Sequence, residues 1–76
     1  MAQKYIEVFK TNIAEEAAAQ QLATLLYHSF PGYKINFDLD DCDHILRIES
    51  RDNTIDCQGV NALCHQAGFQ VEVLAD

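Results

Sequence analysis

Apolar and polar positions alternate in four short stretches of the chain and recur at helical spacing in two longer ones. In Lys4 to Phe9, Tyr5, Glu7 and Phe9 alternate with Ile6 and Val8, the two-residue period of a strand, with Tyr5 and Phe9 expected on the face away from the core. Thr11 and Asn12 supply helix-start chemistry, and Asn12 followed by Glu15 resembles a capping box. The alanine-rich run to about Ser29 sets Ala18, Leu22, Leu25, Leu26 and Ser29 on one helical face. Pro31 disfavours helix at Phe30 and Gly32 permits a turn. Tyr33, Ile35, Phe37 and Leu39 then alternate with Lys34, Asn36 and Asp38, and Leu46 and Ile48 alternate with Arg47 and Glu49. The short polar segment Asp40 to Asp43 joins these two strands as a hairpin. Asn53 or Thr54 is the expected cap of a second helix with the stripe Val60, Leu63, Cys64 and Ala67; Gly68 ends it, and Phe69 to Leu74 alternates again.

Strand, helix, strand, strand, helix, strand is the order that right-handed crossovers pack as one α+β domain over residues 1–76. The expected architecture is ferredoxin-like βαββαβ: a four-stranded antiparallel sheet with two helices on one face. With strands in the order 4-1-3-2, the end of the first strand, the hairpin tip and the end of the second helix share one end of the domain. Cys42, His44, Cys64 and His65, distant in sequence, are then expected near one another. The other sheet face is left without helices, which makes Tyr5, Phe9 and Ile45 candidate interface residues for a protein partner or a homodimer.

Composition narrows the function classes. A 76-residue chain with 49% hydrophobic and 22% charged residues has the make-up of a folded domain. The net charge of −7, with only five Lys and Arg, argues against nucleic acid and anionic membrane surfaces. Three cysteines without CxxC spacing fit reduced thiols in a cytoplasmic protein better than a disulfide framework. No apolar run reaches the roughly 18 residues of a membrane span.

The stretches PGYKINFDL and VNALCHQAGFQVEVL resemble the second strand and the closing helix, glycine turn and strand of the heavy-metal-associated domain, the fold of small copper chaperones and metal-ATPase modules. VFKTN and INFDLDDCDHILRIE are also similar to stretches in a set of small stand-alone bacterial proteins of unknown function. The resemblance implies the fold over nearly the whole chain. That family holds a soft metal with a CxxC pair in the loop after the first strand, where this chain reads Lys10-Thr11-Asn12-Ile13-Ala14-Glu15. Paired thiolates select Cu(I) or Zn(II) in such a loop, so no family ligand carries over.

A metal reading survives only elsewhere. Cys42 with Asp41, Asp43, His44 and His65 offers thiolate, carboxylate and imidazole ligands for a transition metal such as Cu or Zn. As an ordinary hairpin tip the same segment needs no ligand, because Asp bonds nearby backbone N–H groups in turns. Cys64 lies on the apolar stripe and reads as a small core residue. Cys57, early in the second helix, is placed where a helix N-terminus lowers a thiol pKa. No Ser-His-Asp arrangement and no glycine-rich phosphate loop is present, so the leading expectation is a non-enzymatic interaction module. Metal binding is the alternative and a thiol-dependent enzyme or redox sensor the third reading.

Overall fold

The computed structural model describes residues 4–40, 42–51 and 54–74. The elements run β1 (Tyr5–Thr11), α1 (Glu16–Ser29), β2 (Lys34–Asp38), β3 (Ile45–Ser50), α2 (Cys57–Gln66) and β4 (Val71–Val73). All three strand pairings are antiparallel and the sheet order is β2-β3-β1-β4. The fold is thus α+β, with two helices and a four-stranded antiparallel sheet. No helix among the described residues is long and apolar enough to cross a membrane.

One face of the sheet carries the core. Phe9, Ile35, Leu46, Ile48 and Val71 pack with Ala19, Leu22 and Leu26 of α1 and Val60 and Cys64 of α2 in a single buried cluster. The pairing register fixes which residues share that face: Phe9 lies opposite Leu46 on one side and Val73 on the other, and Phe37 lies opposite Leu46 on β3's other side. Phe9 is therefore core, 0% exposed, and not an open-face residue as expected. Tyr5, opposite Ser50 and half-buried, also sits on the helix-covered side. The residues of β1 that face away from the helices are Ile6, Val8 and Lys10.

Several local expectations change with this packing. Asn12 does not cap α1: its Oδ1 accepts from Gln70 N (3.0 Å) and its N–H donates to Gln70 O (3.1 Å), tying the end of β1 to the approach of β4. The N-cap of α1 is Glu15, with no side-chain cap. The buried stripe of α1 is Ala19, Leu22 and Leu26, whereas Leu25 and Ser29 are exposed, because the helix is rotated toward the sheet by its Ala19 edge. Asp56, not Thr54, caps α2, its carboxylate accepting from Gly59 N at 3.0 Å; Asn53 lies outside the described residues. Ala67 is exposed at the C-cap and Gly68 takes φ +92, the left-handed conformation that glycine adopts without a Cβ penalty.

The sheet edges are short. At the β2 edge the Tyr27 hydroxyl of α1 donates to Ile35 O (3.4 Å) and accepts from Ile35 N (3.3 Å), occupying outward backbone groups that otherwise invite another strand.

Candidate functional site

Two regions carry the residues singled out in the sequence: the hairpin end and the open sheet face. At the hairpin end, the expected placement beside β1 holds. Thr11 N donates to Asp43 O (3.2 Å), the Thr11 hydroxyl donates to His44 O (2.6 Å), and Lys10 Nζ lies 3.9 Å from Asp43 Oδ1. The Thr11 hydroxyl also accepts from Ile13 N at 3.1 Å, so this one buried side chain joins the strand end, the hairpin and the segment entering α1. His44 takes φ 49, a left-handed conformation uncommon for a residue with a Cβ, and the Thr11 bond to its carbonyl helps hold it there.

The metal-ligand set does not assemble among the described residues. Cys42 is exposed, Cys64 is 0% exposed in the core, and no three His, Cys, Asp or Glu side chains among the described residues form a group that could hold a metal. The hairpin tip joins β2 to β3, and His65 stands with Thr11, Asn12 and Gln70 along an open groove of about 610 Å³ that extends onto β4. Asp41 lies outside the described residues. Nδ1 of His44 is shielded from solvent and has no hydrogen-bond partner among the described residues.

Neither Cys57 nor Cys64 is activated. Burial pushes the Cys64 thiol up from 9.0 to about 11. Cys57 is also raised, first by burial and then by the carboxylates of Glu7 and Asp56, which oppose the lowering expected from its place at the start of α2.

The open sheet face is built from the outward positions of each strand. Cross-strand rows read Lys34–Glu49–Ile6, then Asn36–Arg47–Val8, then Asp38–Ile45–Lys10–Glu72. Leu74 N donates to Val8 O (2.9 Å), which continues the β1–β4 pairing and sets Leu74 beside Val8 on the same face. Ile6, Val8, Ile45 and Leu74 thus form an apolar patch that no described helix covers, with Ile6 49% exposed. Ile45 is where the alternation put it; Ile6 and Val8 take the places expected for Tyr5 and Phe9.

The paired rows of this face mix three cations with the three carboxylates of Asp38, Glu49 and Glu72. Lys10, Lys34 and Arg47 lie in its rows, and Lys4 and Arg51 flank it, lining with Lys34 and Glu49 a groove of about 420 Å³. These are all five Lys and Arg of the sequence. Lys4 Nζ stands 3.5 Å from Glu49 Oε1. The available signal was in β1 itself: Lys4 and Lys10 share the parity of Ile6 and Val8, which marks that row as the solvent side.

No protein-family model, curated protein or solved structure matches the chain.

Proposed function

We propose that this chain is a small, non-enzymatic interaction module of ferredoxin-like βαββαβ architecture, similar to the heavy-metal-associated fold without its cysteine loop, that docks a protein partner through the open sheet face. The observation that carries the reading is the uncovered apolar patch of Ile6, Val8, Ile45 and Leu74 on a sheet whose other face carries the core. Scattered surface apolar residues are ordinary, but four neighbours on two adjacent strand pairs form one contiguous surface. A cytoplasmic setting suits the free thiols of Cys42, Cys57 and Cys64.

The test compares wild-type protein with Ile6→Asp, a change at an exposed position that leaves the core intact. A partner purified after capture is expected to bind wild type, to shift the backbone amide resonances of β1 and β3, and to lose binding to Ile6→Asp. A strictly monomeric protein that holds no partner sensitive to Ile6→Asp sinks the reading.

The alternative is a transition-metal site at Cys42 with Asp41, Asp43, His44 or His65, favoured only by the unpartnered His44 Nδ1. Titration of reduced protein with Cu(I) and Zn(II) decides it: binding that survives Cys42→Ala unchanged, or no binding at micromolar metal, removes it.

A further inference from the structure

We infer that the groove between α1 and the β2 edge takes a short, extended basic peptide segment, one apolar side chain entering the groove and the peptide backbone pairing with Phe37. The strand edge supplies the backbone part. Ile35 turns its N–H and C=O away from β3, and the Tyr27 hydroxyl takes both. In an antiparallel pair every second residue turns these groups outward, so Phe37 presents the next outward pair. Nothing among the described residues bonds to that outward pair. The edge is therefore closed at Ile35 and open at Phe37, which is the opening that strand addition uses.

The groove supplies the rest. Past Tyr27, α1 and β2 line an open groove of about 620 Å³ that includes Phe37 itself. Ala19 and Ala23 of α1 leave it unfilled, and with half-buried Phe37 and Leu39 they form its apolar floor. Exposed Glu16, Asp38 and Asp40 border it, and no Lys, Arg or His does. None of these three carboxylates has an ion pair among the described residues. Like charges around one cleft attract a cationic segment and repel nucleic-acid phosphates. Carboxylates alone would accept any cation; the apolar floor and the free backbone pair at Phe37 are what select a peptide with apolar side chains. The groove shares only Asp38 with the paired rows of the open face, so this inference does not rest on the docking proposed there.

The experiment follows backbone amide resonances and amide hydrogen exchange of the full chain during titration with a short peptide alternating Lys and Val. The controls are a Glu and Val peptide, the polyamine spermine and a dilution series of the protein itself. The basic peptide is expected to shift the amides of Ala19, Ala23, Phe37 and Leu39 and to slow exchange of the Phe37 N–H, with both effects weakening as salt is added. Glu16→Gln combined with Asp40→Asn is expected to weaken binding about threefold or more, the size of two exposed ion pairs, with thermal unfolding unchanged. The exchange readout on wild type decides the matter even where a variant fails to fold. The inference falls if the basic peptide leaves these amides unmoved at millimolar concentration, or binds without slowing Phe37. Equal shifts with spermine reduce the groove to a diffuse acidic surface, and shifts on dilution alone make it a contact between copies; either overturns the peptide. Shifts at Ile6 and Val8 in place of Phe37 would overturn it too, while leaving the open face as a docking surface.

Discussion

The two faces of one sheet differ more than their sequences do. On β1, Phe9 is 0% exposed and Ile6, three residues earlier, is 49% exposed, although both are large and apolar and lie on the same strand. Alternation supplied the period of β1 but not its phase, because both of its rows contain apolar side chains. Phase comes from the neighbours: β3 must turn Leu46 and Ile48 to the helices, and the register that sets Phe9 opposite Leu46 then sends Ile6 to the other side.

The sharpest way to break this comparison is to truncate each residue in turn. Phe9→Ala leaves a cavity at the centre of the cluster and is expected to cost about 3–5 kcal/mol, enough to unfold much of so small a domain. Ile6→Ala is expected to cost under about 1 kcal/mol, as its side chain is half in water already. Urea unfolding of the two variants measures both. Similar losses would mean that the open face is covered by something that packs like a core.

Thr11→Val is the next largest. Its hydroxyl donates to half-buried His44 O at 2.6 Å and accepts from buried Ile13 N at 3.1 Å. Valine keeps the β-branched shape and removes both bonds, leaving the buried Ile13 N–H without its acceptor, with an expected loss of about 1–3 kcal/mol. Amide exchange should quicken at residues 42–44 before it quickens at β1, because the threonine ties the hairpin to the sheet rather than the strand to its neighbours.

How much was legible follows from the same contrast. The element order, the β2–β3 hairpin and its closeness to the end of β1 could be read, since each depends on local period and turn chemistry. The faces of β2 and β3 were also readable, because each has one apolar and one polar row. What resisted were features fixed by distant partners: the phase of β1 and the use of Asn12 to clip Gln70 rather than to cap α1. Thr11 reads as helix-start chemistry at the end of the first strand, and nothing local announces that its hydroxyl reaches residue 44.

The thiols give a smaller test of buried against exposed. Cys64 is protonated in both folded and unfolded chains below its ordinary value of 9.0, so its burial contributes fully there. As pH rises, the unfolded thiol ionises first while the folded one resists to about 11, so that contribution is lost over this window. The urea midpoint of wild type is expected to fall more between those pH values than that of Cys64→Ala. In folded protein near neutral pH, an alkylating reagent is expected to modify exposed Cys42 first, with Cys64 reacting only on unfolding. Early modification of Cys64 would place it outside the core.

The smallest effect concerns the charges of the open face. Lys4 is 3.5 Å from Glu49, but its side chain is largely in water, and exposed pairs of this kind are worth about 0–1 kcal/mol before salt screens them. Lys4→Gln is therefore expected to move stability by less than about 0.5 kcal/mol, and added salt should erase even that. Arg47→Gln, in the central row of the same face, is expected to do no more. Folding then gains little from the individual cations of this face, each of which stands among carboxylates in the same or neighbouring rows. A loss of several kcal/mol in either variant would overturn this, making the charges part of the scaffold rather than its solvated surface.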